Sequence, residues 1–499
     1  MELAVFSLRR SELSRLRRLI CLSVASLCVA AVALQDCNVA LAVDSAKRPA
    51  RPNIIFILAD DLGYGELGCY GQRIIQTPHL DRMAAEGLRF TQFYAGSTVC
   101  APSRSVLMTG QHVGHTRVRG NSGKTNPGAQ MLHDADVTVA EVLHAAGYHT
   151  GLIGKWGLGL PGDEGVPNRQ GFDDFFGFLS QTHAHNHYPD YLWRNDERVA
   201  LANIVTPVGE GGGGYATVRK QYATDLFADE SLKFVEVNRE RPFFLFLALT
   251  VPHANNERTR ELKDGAEVPD YGSYAGEPWP DADKGQAAMI TRMDAHIGKL
   301  LVRIKELQLD ERTLVMFSSD NGPHKEAGHD PERFDPNGPL SGYKRSMTDG
   351  GIRVPMIARW PGVIEPGRIS DHVGYFGDMM ATCAELAGAQ TPQGCDSISF
   401  APTLLGSAAR RNQERHPFLY WEFHEGAATQ QAVRFQNWKG IRSYGGKLAV
   451  YDLEHDLGET KDVASEHPDV VYRIEEILAT AHGENANWPL KSKAAGKRK

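Results

Sequence analysis

The sequence predicts an α/β fold: a largely parallel sheet flanked by helices, followed by a smaller C-terminal subdomain of antiparallel strands with one helix. Three observations carry this. Short apolar runs alternate with helical patterns along most of the chain, the mark of strands joined by helical crossovers. Several of those runs are apolar at every position, as strands covered on both faces are. From about His416 the texture changes to short, half-exposed strands. The 499 residues, 42% of them hydrophobic, suffice for one large core and a smaller appendage.

The first element reads as a targeting segment. Arg9, Arg10, Arg15, Arg17 and Arg18 precede an uncharged apolar run from Leu19 to Leu34, and Ala40-Leu41-Ala42 fits a small-residue cleavage site. The expectation is a signal peptide at 1–42 and a linker at 43–51; the run is short for a membrane span, with an uncleaved anchor as the alternative. Cleavage removes five arginines and three acids and moves the net charge from −7 to −9. The product is an exported protein, periplasmic or secreted, with no stable membrane insertion. No basic stripe crosses the body, which excludes nucleic acid as a partner. The lysines and arginine from Lys491 to Lys499 read as a solvated tail. The expected divisions are a main domain at 52–415, the C-terminal subdomain at 416–485 and the basic tail at 486–499. Cys21, Cys28 and Cys37 leave with the signal; Cys383 and Cys395 are a candidate pair in an oxidising compartment, Cys69 is single, and Cys100 is set apart below.

Asn53–Ala59, Pro242–Leu249 and Thr313–Phe317 read as buried strands. Thr138-Val139-Ala140-Glu141 is a capping box opening a helix that ends at Gly147. Met289, Met293, Ile297, Leu300, Leu301, Ile304 and Leu307 lie on one stripe of a longer helix. In the C-terminal part, runs at 418–423, 431–435 and 448–451 read as strands, and Val470, Ile474, Ile477 and Leu478 mark an amphipathic helix. Gly211–Gly214 reads as a flexible surface loop.

Each buried strand delivers a chemically capable residue at its carboxyl end: Asp60-Asp61 after the first, Pro252-His253 after the second, Asp320-Asn321 after the third. Thr150–Gly154 delivers Lys155. Ligands of open α/β sheets bind beyond the carboxyl ends of the strands, so residues far apart in sequence are expected on one rim. Adjacent carboxylates at a sheet edge are costly unless a cation neutralises them, and an all-oxygen set selects Ca²⁺ or Mg²⁺ over Zn²⁺. Taken singly, Asp-Asp and Asp-Asn also read as solvated turns, Lys155 and Lys344 as surface lysines, His253 as a turn residue after Pro252, and Arg104 as the structural partner of a nearby carboxylate.

Cys100-Ala101-Pro102-Ser103-Arg104 is the most specific stretch. Pro102 suits the first turn of a helix running to Gly110, which places Cys100 at a helix N-terminus that favours anions. A buried structural cysteine is the alternative for this pentapeptide alone. With its companions the stretch resembles the type I sulfatases of the alkaline-phosphatase superfamily. The resemblance runs through Asp60-Asp61, Cys100-x-Pro102-Ser103-Arg104, Gly154-Lys155-Trp156, Pro252-His253, Ser319–Gly322, Gly342-x-Lys344, Gly350–Pro355 and Tyr451-Asp452-Leu453, and covers roughly residues 52 to 480. It implies an alkaline-phosphatase-like fold and a sulfuric ester hydrolase acting on a sulfated carbohydrate or aryl sulfate. It further implies oxidation of Cys100 to formylglycine by a separate maturase. One Ca²⁺ would be held by Asp60, Asp61, Asp320, Asn321 and residue 100. Arg104 would hold the aldehyde hydrate, Lys155 and Lys344 the sulfate oxygens, and His253 would protonate the departing alcohol. One hydroxyl of the hydrate attacks sulfur; the other later expels sulfate by re-forming the aldehyde.

The chain departs from the family pattern in one place. Many relatives read G-K-W-H-L-G, with a histidine serving sulfate release, where this chain has Gly157. The segment Gln181–Trp193, rich in imidazole and aromatic groups, suggests sugar contacts by His183 and His185, ring packing by Trp193 or a tyrosine, and His183 or His185 as the replacement base; a structural loop with aromatic anchors and a metal-binding histidine cluster are the alternatives. Two other classes compete. A phosphatase or phosphodiesterase of the same superfamily would use Ser or Thr with two zinc ions and histidine ligands. A non-catalytic sulfated-glycan-binding protein would keep an intact thiol at residue 100.

Overall fold

The computed structural model describes residues 51–121, 126–406 and 412–493. The expected signal peptide, nearly all of the linker and the last residues of the basic tail lie outside them. In chain order the strands are β1 (Asn53–Asp60), β2 (Leu88–Tyr94), β3 (His149–Lys155), β4 (Asp174–Phe178), β5 (Tyr191–Arg194), β6 (Glu197–Ala200), β7 (Ile204–Pro207), β8 (Gly214–Val218) and β9 (Phe243–Pro252). They continue as β10 (Thr313–Ser319), β11 (Arg353–Arg359), β12 (Arg368–Ser370), β13 (Gly374–Tyr375), β14 (Leu419–Phe423), β15 (Gln430–Phe435), β16 (Trp438–Ser443) and β17 (Ala449–Asp452).

The main sheet runs β12-β2-β11-β10-β1-β9-β3-β4-β5-β6, with β13 beside β2. Its centre, β10-β1-β9-β3-β4, is parallel throughout. Antiparallel pairings enter at β10–β11–β2 on one side and β4–β5–β6 on the other. The centre is parallel because β1, β3, β9 and β10 are apolar at both parities and need cover on both faces. In β1, Ile54, Phe56 and Leu58 enter one core cluster while Ile55, Ile57 and Ala59 enter the other. The capping box is present at Thr138: its hydroxyl oxygen accepts from the Glu141 amide at 3.1 Å, and its own amide donates to Glu141 Oε2 at 2.7 Å. The striped helix spans Asp281–Glu306 and packs into the second cluster.

A four-stranded antiparallel sheet, β14-β15-β16-β17, carries the helix Pro468–Thr480. Strand β16 has no counterpart in the sequence reading, because its polar pattern lacks the apolar alternation that marked its neighbours. The small sheet shares the first core cluster with the main sheet, and Trp421 Nε1 donates to the Ala95 carbonyl at 2.9 Å. A buried ion pair joins them too: Lys439 Nζ lies 2.7 Å from Asp349 and 3.2 Å from Glu459. Cys69, Cys100, Cys383 and Cys395 are all free thiols, so the candidate pairing of Cys383 with Cys395 is not made. Gly211 and Gly212 are exposed in the turn between β7 and β8, as a surface loop is, while Gly214 opens β8 and Gly211 accepts a hydrogen bond from Ser180 Oγ at 3.0 Å.

Candidate active site

Four neighbouring parallel strands end on one rim, and their registers bring the chemistry together. Asp60 closes β1 opposite Pro252 of β9, and Ala59 is opposite Ser319 of β10. Lys155 closes β3 one residue beyond the Gly154–Ala248 pair. Gly154 must be glycine here: its φ is +113°, and a Cβ would lie 1.9 Å from the Ala248 carbonyl oxygen. Asp61 adopts φ +68°, a left-handed conformation that aspartate tolerates, which turns the chain off the strand at the rim. Its amide then donates to Asp320 Oδ1 at 3.1 Å, and the Leu62 amide to Ser319 Oγ at 2.8 Å.

Cys100 is the first residue of the helix Cys100–Thr109, whose N-cap Val99 supplies no side-chain cap, so the amides at this end are left for other acceptors. Its Sγ donates to Gln181 Oε1 at 3.3 Å. Burial pushes the thiol pKa up, with Lys155 opposing. An unmodified Cys100 therefore stays protonated at neutral pH and is a poor nucleophile.

The charged groups are interlocked and buried. Lys155 Nζ contacts Asp60 at 2.6 Å. Arg104 places Nε and one terminal nitrogen on Asp320 at 3.1 and 2.9 Å, and the other on the Lys155 carbonyl at 2.5 Å. Its hydrogen bonds therefore position Asp320 and Lys155, and none goes to Cys100. Lys344 Nζ lies 2.8 Å from Asp61, 3.1 Å from His253 Nε2 and 3.2 Å from Glu326. His253 Nδ1 faces the Ala254 carbonyl at 2.7 Å, which leaves Nε2 toward the reacting space. Burial first, and then the Lys344 charge, pull the imidazole well below its ordinary pKa.

Apart from Cys100 Sγ and the His253 ring nitrogen, the clustered donors are oxygens, which suit a hard divalent cation. Asp60, Cys100 and Asp320 offer ligand atoms within 4.8 Å of one another, as do Asp60, Asp61 and His253. Asp60 Oδ1 and Asn321 Oδ1 are buried with no hydrogen-bond partner, two oxygens whose desolvation a cation would offset. Burial acts to raise all three carboxyls. Lys155 and Arg104 outweigh it at Asp60, and Lys344 and His253 at Asp61. At Asp320 burial and the neighbouring Asp60 prevail over Arg104, and the carboxyl is pushed up to about 7.

The rim opens into a cleft of about 760 Å³ lined by Cys100, His253 and Lys344 at its floor and by His183, His185, Tyr191 and Arg198 on its wall. The sequence reading thus placed Asp60, Asp61, Cys100, Arg104, Lys155, His253, Asp320, Asn321 and Lys344 where the structure brings them together. His183 and His185 line the same cleft, but no hydrogen bond joins either to Cys100. His185 Nδ1 is held by Glu257 at 2.9 Å and its ring stacks on His253 at 4.9 Å. Trp193 and Tyr191 both line the cleft; Trp193 is only 9% exposed, with Arg198 5.0 Å over its ring. Gln181, Glu326 and Glu257 were not foreseen. Glu326 lies six residues beyond Asp320, and Gln181 opens the histidine-rich segment, but neither position was assigned a role.

Comparison with known proteins decides the family. The sequence profile of the sulfatases matches residues 52–389, and the profile described as N-sulphoglucosamine sulphohydrolase, C-terminal, matches residues 342–482. The chain belongs to the sulfatase family. It is a sulfuric ester hydrolase of alkaline-phosphatase-like fold. This sulfatase is 32% identical to the steryl-sulfatase of Mus musculus over 83% of its own length and 74% of that protein's. It is 28% identical to an N-acetylgalactosamine-6-O-sulfatase of Bacteroides thetaiotaomicron, covering 89% of its own length and 96% of that protein's. Its fold is similar to a solved structure described as Ps i-CgsB in complex with k-i-k-neocarrahexaose, with a TM-score of 0.72 and 26% identity, covering 89% of this chain and 96% of that one.

Proposed function

We propose that this sulfatase removes sulfate from a sulfated carbohydrate, using as nucleophile the hydrate of a formylglycine formed from Cys100. The observation that carries the reading is the placement of Cys100 at a helix start, against paired buried carboxylates and two buried lysines, at the floor of an open cleft. In the family's chemistry, one hydroxyl of the hydrate attacks sulfur as the bond to the alcohol oxygen breaks. The second hydroxyl then gives up its proton, the carbonyl re-forms, and sulfate leaves with the electron pair of its bond to carbon.

Asp60, Asp61, Asp320, Asn321 and residue 100 would hold one Ca²⁺, which supplies Lewis-acid polarisation of a sulfate oxygen when bound. The remaining work falls to the chain. Lys155 and Lys344 neutralise the sulfate oxygens as charge builds in a water-poor site. Arg104 fixes Asp320 and the Lys155 backbone so that both keep their positions. His253 presents Nε2 to the leaving oxygen. Burial is the larger cause of the depressed imidazole and the Lys344 charge the second; sulfate drawn against Lys344 would offset that second part.

His183 and His185 would contact the leaving saccharide. Burial pulls the His183 pKa down to about 4, so it is neutral, and its unpartnered Nε2 is suited to a sugar hydroxyl. Arg198, 4.4 Å over the Tyr191 ring and without a carboxylate partner among the described residues, fits a further anionic group on the substrate. The names of the Bacteroides relative and the oligosaccharide complex support a carbohydrate. The leader expected at residues 1–42 supports export, and the maturase is the implied partner for Cys100; among the described residues no helix is long and apolar enough to cross a membrane. Sulfate release from a panel of sulfated oligosaccharides and small aryl sulfates tests the reading. Turnover of a saccharide, lost in Cys100→Ala, is the expected result. Turnover of aryl sulfates alone would refute the carbohydrate assignment.

A further inference from the structure

Gly157 and Gln181 form a matched pair beside the reacting residue. Strands β3 and β4 continue their pairing past their ends, with the Trp156 amide donating to the Phe178 carbonyl at 2.9 Å and the Gly157 amide to the Leu179 carbonyl at 3.1 Å. This brings Gln181 over position 157. A Cβ there would lie 2.1 Å from Gln181 Nε2 and 2.6 Å from its Cδ, and φ at Gly157 is +80°. The carboxamide thus fills the space that any side chain at 157 would take. Its Oε1 accepts from Cys100 Sγ at 3.3 Å, while Nε2 is buried without a partner.

A buried amide nitrogen with nothing to donate to is costly, and the thiol cannot relieve it, since one sulfur engages one end of the carboxamide. A carbon bearing two hydroxyls can engage both ends. We propose that Gln181 clamps the formylglycine hydrate at residue 100, with Oε1 accepting from one hydroxyl and Nε2 donating to the other oxygen. The inference rests on the proposed conversion of Cys100. Either orientation of the amide satisfies the diol, because each hydroxyl both donates and accepts. Hydration adds water across the aldehyde: its oxygen bonds to carbon and its proton goes to the carbonyl oxygen. Gln181 exchanges no proton in this. It favours the two-oxygen form over the one-oxygen aldehyde and fixes which hydroxyl faces the substrate.

The test uses the full-length mature enzyme labelled with ¹³C at cysteine Cβ, with formylglycine content measured by peptide mass in every sample. Carbon NMR then reads the ratio of diol to aldehyde at residue 100. Gln181→Met fills the same space without the hydrogen bonds. It should shift the ratio toward aldehyde by about tenfold or more, the effect of losing two net hydrogen bonds. It should also lower kcat while KM stays within about twofold, since the clamp acts on the nucleophile. Gly157→Ala should shift the ratio the same way by displacing the carboxamide, and adding it to Gln181→Met should shift the ratio no further. Gln181→Ala provides a second reading should the methionine variant fold poorly. An unchanged ratio and unchanged kcat at equal formylglycine content would overturn the clamp and leave the proposed function standing. An intact thiol in the wild-type enzyme from its native source would overturn both.

Discussion

Lys344→Met removes one buried charge and leaves the methylene stem in place. The lysine side chain is 4% exposed, and its ammonium lies within 3.2 Å of Asp61, His253 and Glu326. Its charge therefore acts where water screens little, and the loss of one donor aimed at the transferring sulfate is expected to lower kcat/KM by about 10²–10³, or about 2.7–4 kcal/mol. The variant also leaves Asp61 without its closest cation. In metal-free protein, unpairing a buried charge costs about 3–5 kcal/mol of stability, and added calcium should recover part of it because a cation takes over the neutralising role. The assay is sulfate release under kcat/KM conditions with formylglycine content matched to wild type, alongside urea unfolding with and without calcium. Activity within threefold of wild type at equal formylglycine content would refute the placement of Lys344 on the sulfate.

Elemental analysis should find one calcium per chain and no zinc; chelation should abolish turnover, and calcium but not zinc should restore it, in keeping with the oxygen donors Asp60, Asp61, Asp320 and Asn321. Lys439→Met breaks the buried pair with Asp349 that joins the small sheet to the main body, and urea unfolding should show a loss of about 3–5 kcal/mol; a loss below about 1 kcal/mol contradicts it. Burial alone would raise the Glu422 carboxyl, but bonds from His424 and His482 and the Arg119 charge hold it at about 2. Its folded pKa is thus depressed, and its stabilisation is present above the ordinary 4.5 and lost as pH falls from there through about 2. Unfolding free energy measured across that window should fall more steeply in wild type than in Glu422→Gln.

Three strands of the parallel centre, β1, β9 and β10, and their rim were legible because each is a run of apolar residues at both parities that ends abruptly in polar or charged residues; β4 was not read, since it is short and opens on Asp174. Asp60-Asp61, His253, Lys155 and Asp320-Asn321 could be assigned to one place from strand ends alone. Strand β16 was not legible: Trp438-Lys439-Gly440 carries little apolar alternation, and Lys439 is buried only because Asp349 and Glu459 pair with it. A structural carboxylate partner for Arg104 was among the readings of the sequence, but that the partner is Asp320 depends on tertiary geometry that the motif does not encode. Gln181 escaped notice because its neighbours in sequence are histidines, which drew the functional assignment. It meets Cys100 only because β3 and β4 keep pairing past Lys155, and because position 157 has no side chain in the way.

The chemistry depends on residue 100 being an aldehyde hydrate and not a thiol. The most direct measurement is the mass of the peptide carrying Cys100, from enzyme purified from its native source and confirmed to release sulfate. The predicted peptide has the cysteine sulfur replaced by oxygen and two hydrogens removed, and it reacts with an aldehyde-specific hydrazide. An unmodified thiol in protein that turns over sulfate esters at full rate would contradict the account.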